Sequence, residues 1–402
     1  MKRSSDRILT THVGSLIRPP EIIEVMYATD NHQPYDEAAF GLNLKTGVQD
    51  VVRKQAEAGV DIVSDGEFGK RGWTGYVSDR LGGFEARPNP GGPAALFGKD
   101  RRDFADFYAI WQRAERTWLP PHIIEALNAR PSQLQRYACV APVTYRAAAI
   151  IQRDIANFKA ALQGVNVEEA FLPVAAPASA EAGRTNEYYK SDEEYVYAIA
   201  DALKQEYTAI ADAGLLLQVD DAFIPALYDR IAATSMEEYR KFCQLRIEAL
   251  NYALDGIAED RVRYHICWGS WNGPHSTDVP LKDIVDLVLR VKAQAYSIEA
   301  ANPRHEHEWM VWQDTKLPEG KILIPGVVTH STNIIEHPEL VAWRTGLYAN
   351  LVGRENVIAG TDCGFSQFWN LIRTHESIQW AKLESLAEGA RLATKQLWKR
   401  AA

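Results

Sequence analysis

Short apolar runs rich in β-branched residues alternate along the chain with longer stretches whose apolar positions recur every three or four residues. In the first clear unit, 43–58 places Val48, Val51 and Val52 on one helical face, and Gly59 then ends the predicted helix. The segment VDIVSDGE that follows is typical of a buried strand with a polar tip. Helices that alternate with such strands indicate a parallel α/β fold.

The same helix, glycine and strand succession returns twice. Residues 193–214 are predicted to be helical up to Gly214 and are followed by the strand LLLQVDD, and Ser191 with Glu194 fits a capping box at the helix start. The third unit begins near Ser235 and Glu238 and ends in the strand RVRYHICW. We therefore predict a (β/α)₈ barrel.

The strand candidates number nine, whereas a (β/α)₈ barrel needs eight, so one must lie outside the barrel. The pattern alone does not say which one. In chain order they are ILTTHVGS, VDIVSDGE, YACVAPVTY, EAFLPVAAP, LLLQVDD, RVRYHICW, AYSIEAA, KILIPGVV and NVIAGTDC.

Residues 71–137 interrupt the repeat, because the first part of this segment is rich in Gly and Pro and is followed by an aromatic helical stretch. We predict a long excursion after the second strand that serves as a lid or a subunit contact, since long connections in compact folds are usually functional. The tail from Glu376 to Arg400 is predicted to be one closing helix. The expected organisation is a single catalytic domain over 1–402.

Composition narrows the classes of partner. The net charge of −9 and the absence of basic runs argue against nucleic acid and against an anionic membrane surface, and no apolar stretch is long enough for a signal peptide or a membrane span. We expect a cytoplasmic protein that acts on small molecules, and the sequence leaves open whether it forms homo-oligomers. Four widely spaced cysteines do not form a disulfide framework and are free to be ligands.

Residues with metal-ligand or acid character follow several predicted strands: His265 and Cys267, Glu299, His330, and Cys363. Strand ends meet at one mouth of such a barrel. His265 and Cys267 are two apart, which places both side chains on one face of a strand. Together with Cys363 they form a His/Cys/Cys set that suits zinc with an open fourth position, which Glu299 can fill until a substrate displaces it.

Other candidates carry weaker signals. Glu67 and Asp220 end strands and are suited to hold a substrate ammonium, although a solvated carboxylate or a cap is an equal alternative. His305 and His307 are spaced like a metal-binding pair but are expected to be exposed in a polar loop. The remaining cysteines, at 139 and 243, are interpreted as structural.

Seven short motifs in order resemble the cobalamin-independent methionine synthases, specifically their C-terminal catalytic barrel, and the likeness spans most of the chain. The motifs are TTHVGSLIRP, SDGE, LQVDDA, HIC, SIEA, GVVTHS and DCG. The resemblance implies zinc bound by His265, Cys267, Glu299 and Cys363, an amino-acid thiol in contact with Ser15, Glu67 and Asp220, and His330 as the proton donor to the leaving group.

The resulting hypothesis is a zinc-dependent enzyme that activates a small thiol as its thiolate and alkylates it, by methyl transfer to homocysteine. The chain resembles only the catalytic half of the family, so the donor is open between a methylfolate and a methylcorrinoid. Asp221 and Phe223 also depart from the family pattern around Asp220, which leaves the thiol open.

Three alternatives remain. One is thiol alkylation by epoxide opening, similar to the epoxyalkane:coenzyme M transferases, for which a sulfonate requires a cation such as Arg18 or Arg71, although surface solvation is the expected fate of both. Another is a zinc hydrolase or lyase that activates water, against which two thiolate ligands argue because they weaken the Lewis acid. The last is a barrel with a structural metal site or none.

Overall fold

The structure is a computed structural model that describes residues 1–88, 98–114, 118–129, 135–230, 235–269 and 271–398. Its strands are short and their side chains mostly buried. In chain order they are β1 (Leu9–Thr10), β2 (Ile62–Ser64), β3 (Leu81–Pro88), β4 (Gln135–Tyr145), β5 (Glu169–Ala175), β6 (Arg184–Asn186), β7 (Leu216–Asp220), β8 (Val262–Ile266), β9 (Ala295–Ile298), β10 (Ile322–Val328) and β11 (Ile358–Thr361).

Eight of these strands form one parallel sheet in the order β1-β11-β10-β9-β8-β7-β5-β2. Thr11, just after β1, forms a parallel bridge with Ile62 of β2 and so joins the two ends of the sheet. The closed ring has no free edge, and all its strands run in the same direction. The predicted (β/α)₈ barrel is therefore confirmed.

The ninth strand candidate, YACVAPVTY, lies outside the barrel. It becomes β4, which pairs antiparallel with β3 and parallel with β6 in a separate three-stranded sheet. The other eight candidates supply the eight barrel strands. The excursion after the second strand is thus not wholly irregular, because its first part contains β3.

The helices surround the barrel and follow the predicted repeat. They are α1 (Pro20–Asp30), α2 (Glu37–Glu57), α3 (Val77–Arg80), α4 (Lys99–Asp103), α5 (Ala105–Ala114), α6 (Pro121–Ala129), α7 (Ala148–Ala161), α8 (Pro177–Glu181), α9 (Asp192–Asp212), α10 (Phe223–Arg230), α11 (Met236–Ala253), α12 (Val285–Val288), α13 (Val311–Asp314), α14 (Pro338–Val352) and α15 (Glu376–Leu397).

Local chemistry explains where these helices begin and end. The Ser235 hydroxyl and the Glu238 carboxylate form a full capping box at the start of α11, whereas Ser191 caps α9 through the backbone of Glu194 only. Gly59 and Gly214 follow α2 and α9 with φ of 84° and 82°, a left-handed conformation that glycine adopts without steric cost. The predicted closing helix is α15, and residues 399–402 lie outside the described residues.

The hydrophobic core has two layers. The larger one lies between the barrel and its helices. The smaller one fills the barrel interior with side chains from most of its strands: Leu9, Ile62, Phe171, Leu216, Ala295, Ile322, Ile324 and Ile358. Strand β8 contributes Arg263 instead, whose guanidinium lies 4.0 Å from the Phe171 ring centroid. The barrel is therefore a packed support for its mouth and not a channel.

The excursion contacts the connection that follows β8. The Trp271 indole donates to the Tyr108 hydroxyl at 2.9 Å, and the Ser276 backbone N–H donates to the Asp100 carboxylate at 3.0 Å. Parts of the excursion (89–97, 115–117 and 130–134) lie outside the described residues. Its role as a lid or a subunit contact, and the single-domain organisation, stay predictions. Among the described helices, none is long and apolar enough to cross a membrane.

Candidate functional site

All the site residues selected from the sequence lie at, or just beyond, the carboxyl ends of barrel strands, and all are buried. The barrel thereby brings residues that are far apart in sequence to one mouth. They are Ser15 after β1, Glu67 after β2, Asp220 at the end of β7, His265 in β8, Cys267 after β8, Glu299 after β9, His330 after β10 and Cys363 after β11.

Three of them form a compact cluster of metal-ligand atoms. One ring nitrogen of His265 and the Sγ atoms of Cys267 and Cys363 all lie within 4.8 Å of one another, and the two Sγ atoms are 3.7 Å apart. Strand β8 supplies the first two side chains, and the chain beyond β11 supplies the third. Two thiols and one imidazole are a donor set that zinc prefers.

The hydrogen bonding of the cluster suits a metal ligand. His265 Nδ1 is paired with Ser297 Oγ at 3.2 Å, whereas the buried Nε2 atom has no hydrogen-bond partner among the described residues. A hydrogen bond with Cys267 and the nearby imidazole of His265 hold the pKa of Cys363 well below its usual value, against the effect of burial. The residues present therefore fit a zinc ion.

Glu299 and His330 do not join this ligand cluster. Glu299 accepts hydrogen bonds from the backbone N–H of Trp268 at 2.8 Å and from the Asn302 side chain at 2.9 Å. Burial raises its pKa to about 8. His330 is 1% exposed and follows β10 at the same mouth of the barrel.

A pocket opens beside the cluster. Cys267 and Cys363 form part of its wall together with His265. The same pocket is lined by Ser15, Glu67 and Asp220, the three residues that the sequence assigns to substrate binding. Its other walls include the apolar Trp73 and Phe368 and the polar Gln367 and Arg373. One cavity therefore joins the ligand cluster to two carboxylates and a hydroxyl.

Without a bound cation, the pocket destabilises the ionised forms of both carboxylates, Glu67 and Asp220. Burial raises the pKa of Glu67, and burial together with the charge of Glu67 raises the pKa of Asp220 well above its usual value. Lys70 opposes both shifts, and Gln218 Nε2 donates to Asp220 Oδ1 at 2.7 Å. A cation that entered between the two acids would stabilise their ionised forms.

The backbone at Glu67 is held in an uncommon conformation. Its φ is +58°, in the left-handed region that side-chain-bearing residues rarely adopt. The Asp65 carboxylate accepts from the Glu67 N–H at 2.9 Å, and Arg18 donates to the Glu67 carbonyl at 3.0 Å. These contacts fix the turn SDGE so that the Glu67 side chain lines the pocket.

The structure corrects the expectation that Arg18 is solvated and places Arg71 in ion pairs at the surface. Arg18 is not solvated, since it is 2% exposed and also donates to the backbone and hydroxyl oxygens of Ser366. Arg71 forms ion pairs with Asp30 and Asp79. Neither residue lines the described pocket; the arginine that does is Arg373, so it and not Arg18 or Arg71 is the candidate cation for a sulfonate there.

The expectation that His305 is exposed is wrong. His307 is exposed, but His305 is 3% exposed and pairs with Asp278 and Glu308 at 3.0 and 2.9 Å. Sequence reasoning missed this network because its members come from two loops. The available signal was the spacing of His305 and Glu308, which are three apart and able to pair locally.

The chain is similar to several known proteins. No family model matches the chain. A methionine synthase of Thermococcus kodakarensis is 22% identical over 391 residues, which cover 96% of this chain and 94% of that protein. A 2-hydroxypropyl-CoM lyase of Xanthobacter autotrophicus is 25% identical over 239 residues, or 53% of this chain and 58% of that protein.

Among solved structures, a B12-independent methionine synthase from a Shewanella species, in complex with selenomethionine, matches with a TM-score of 0.69 at 17% identity, and the match covers 97% of this chain and 99% of that one. Fold and site thus define a (β/α)₈ barrel with a thiol and imidazole cluster at its mouth. The resemblance to the cobalamin-independent methionine synthases, predicted from the sequence motifs, is confirmed by these similarities.

Proposed function

We propose that this chain is a zinc-dependent transferase that alkylates a small thiol, most specifically by methyl transfer to homocysteine. The observation that carries the proposal is the shared pocket, in which the His265, Cys267 and Cys363 cluster faces Glu67 and Asp220. The name of the Thermococcus relative, a methionine synthase, supports the same activity.

In this proposal His265, Cys267 and Cys363 hold the metal, and Glu299 is a further ligand that a substrate can replace. Zinc bound there supplies a Lewis acid that keeps a thiol deprotonated near neutral pH, where a free thiol with a pKa near 8.5 is mostly protonated. His330, at the same mouth, donates a proton to the leaving group. The methyl donor is a methylfolate or a methylcorrinoid.

The acceptor is recognised by groups of the chain itself. Glu67 and Asp220 bind the substrate ammonium, because a cation relieves the repulsion that raises the pKa of Asp220. The Ser15 hydroxyl, which lines the same pocket, donates a hydrogen bond to the acceptor. The apolar walls exclude water from the reacting atoms.

A second candidate is thiol alkylation by epoxide opening, with coenzyme M as the thiol. The similarity to the 2-hydroxypropyl-CoM lyase favours it. The pocket carries charges of both signs: Glu67 and Asp220 repel a sulfonate, whereas Arg373 attracts it. The two acids outnumber the one arginine, which favours homocysteine over coenzyme M.

The test is to quantify zinc in the purified protein and to follow zinc-edge X-ray absorption while homocysteine, and separately coenzyme M, is titrated. One added zinc–sulfur contact with homocysteine alone supports methyl transfer, and one with coenzyme M alone supports the second candidate. Zinc that responds to neither thiol contradicts both. Cys363→Ser is expected to lose zinc, whereas Cys243→Ala, which changes a buried thiol in α11, serves as the matched control.

A further inference from the structure

A buried cluster of four ionisable side chains lies beside the candidate metal centre. His275 and Asp278 belong to the loop that follows β8, and His305 and Glu308 belong to the connection that follows β9. The Asp278 Oδ2 atom lies 3.0 Å from His275 Nδ1 and 3.0 Å from His305 Nε2. Asp278 thereby links the two connections that carry Cys267 and Glu299.

His305 is bonded through both ring nitrogens. Its Nδ1 lies 2.9 Å from Glu308 Oε2, on the side opposite Asp278, and the other Glu308 oxygen accepts from the Leu281 N–H at 2.6 Å. Burial lowers the pKa of His305, but hydrogen bonds to Asp278 and Glu308 outweigh that effect and raise the pKa to about 10. The side chain is therefore a rigidly held imidazolium at neutral pH.

The face of this ring supports Trp268. The two ring centroids are 4.0 Å apart with an interplanar angle of 24°, a stacked arrangement in which a cation over an indole is favourable. The indole N–H of Trp268 donates to the Val279 carbonyl at 2.7 Å, which fixes the ring in its own plane. The Trp268 indole is thus held by the His305 ring against one face and by the Val279 carbonyl at its edge.

Trp268 in turn touches two candidate metal ligands. It is the residue directly after Cys267, and its backbone N–H is the donor that holds Glu299 Oε2 at 2.8 Å. A shift of the indole would therefore move the backbone that carries the Cys267 thiol and release the Glu299 carboxylate. Outer groups that orient metal ligands commonly change metal affinity by about 10- to 100-fold when they are removed.

We propose that His305 is a positioning residue of the metal centre, acting through Trp268 on Cys267 and Glu299. This role rests on the proposed function, because it presumes that the cluster binds zinc. His305 is neither one of the clustered ligands nor a lining residue of the pocket among the described residues, and its charge also lowers the pKa of Glu299 directly. Its contribution is to the geometry of the ligands, not to the chemistry.

A double-mutant cycle on the full-length protein tests the route of action. The zinc dissociation constant is measured by competition with a chromophoric chelator for the wild type, His305→Gln, Trp268→Phe and the double variant. Each single variant is expected to bind zinc about 10- to 100-fold more weakly. The double variant should be no weaker than the weaker single variant, because both changes break the same path.

The controls separate positioning from folding. His307→Gln changes the exposed histidine two residues away and should leave zinc affinity unchanged. Circular dichroism and the thermal midpoint report the fold of each variant. If His305→Gln does not fold, Glu308→Gln replaces it in the cycle, because it removes a charge but keeps an acceptor for Leu281.

Each outcome decides something. Unchanged zinc affinity in folded His305→Gln, or effects of His305→Gln and Trp268→Phe that multiply, overturns the positioning role and leaves the zinc transferase proposal intact. A wild-type protein that does not bind zinc overturns the proposed function and the positioning role together. Selective loss of affinity that is non-additive with Trp268→Phe supports the role.

Discussion

Asp220 and Glu67 are two acidic side chains that line the same pocket. Each is buried, and the charge of Glu67 contributes to the raised pKa of Asp220. Buried like charges are costly unless a counter-ion enters. At the scale of single residues, these two acids therefore favour a cationic group in the pocket, next to the thiols of the cluster.

We predict that Asp220→Asn reduces the discrimination between homocysteine and its analogue without the amino group, 4-mercaptobutanoate. A hydrogen bond to a charged group contributes about 1.5–3 kcal/mol, so homocysteine affinity should fall roughly 10- to 100-fold while the analogue is little affected. Calorimetric titration of the zinc-loaded protein measures both. Asp212→Asn, on the exposed side of α9, is the control, and equal losses for both thiols would remove the ammonium argument.

At the scale of elements, strands β10 and β11 approach each other unusually closely next to the cluster. A Cβ atom at Gly326 would lie 2.7 Å from the Asp362 Cα atom, so only glycine fits there. Asp362 accepts from the N–H groups of Ala300 and Ala301 at 2.8 and 2.7 Å and precedes Cys363. The close approach therefore links β10, β11 and the connection after β9.

Gly326→Ala is expected to lower the free energy of unfolding by about 1–3 kcal/mol, because β11 must shift to admit the methyl group. Zinc affinity should fall with it, since Cys363 moves with Asp362. Urea denaturation and chelator competition measure the two effects. Gly346→Ala, within α14 and with no heavy atom within 4 Å of the new Cβ, should instead be neutral or stabilising by up to about 1 kcal/mol. Similar effects of both substitutions would contradict the explanation.

The cluster around His305 also predicts a pH dependence of stability. The pKa of His305 is raised from 6.5 to about 10 in the folded state, so folding favours the protonated ring. Its contribution is complete below the unfolded pKa of 6.5 and is lost as pH rises through about 10. The difference in the free energy of unfolding between the wild type and His305→Gln should therefore shrink with rising pH across this window.

Chemical denaturation of both proteins below, within and above that pH window checks the prediction. His307→Gln, at the exposed position, should track the wild type at each pH. A difference between the wild type and His305→Gln that stays constant would mean that the His305 ring is neutral in the folded protein.

The sequence predicted the strands better than it predicted which strands pair with each other. Periodicity identified the eight barrel strands, because each is a short buried run and all of them except β1 follow a helix. It could not place YACVAPVTY outside the barrel, since its partner β3 contains Gly82 and Gly83 and carries no strand pattern of its own. Pairing between distant segments depends on contacts that a local pattern does not contain.

Some features of the candidate site were likewise predictable from the sequence, and others were not. Residues at strand ends were predictable, because the barrel itself makes strand ends converge. The burial of His305 was not, because its two carboxylate partners lie in irregular connections and a polar stretch such as RHEHEW is usually solvated. The burial of Arg18 was not predictable for the same reason. The backbone carbonyls that accept its hydrogen bonds belong to Ser366 and Glu67, which follow other strands.

At the scale of the whole molecule, the ligand cluster connects strands that are not neighbours. Strands β9 and β10 separate β8, which carries His265, from β11, which precedes Cys363. An ion held by both would link opposite parts of the barrel mouth, while the packed interior remains independent of it.

Removal of zinc is therefore expected to lower the thermal midpoint by several degrees without loss of secondary structure. A ligand present at about a thousand times its Kd stabilises a fold by about 4 kcal/mol. Calorimetry and circular dichroism with and without a chelator measure the effect, and Cys363→Ser should show no response to the chelator. Complete unfolding on zinc removal would mean that the metal is part of the core.

The left-handed turn at Glu67 has a consequence for how this protein can change. A left-handed backbone costs a side-chain-bearing residue about 1–2 kcal/mol, and the buried charge adds to that cost. Glu67→Gly would relieve both and should raise the midpoint of urea denaturation. Laboratory evolution toward heat resistance alone would therefore favour a glycine at this position, and drift without demand for the substrate would lead the same way. Glu67 therefore occupies this turn at a cost in stability.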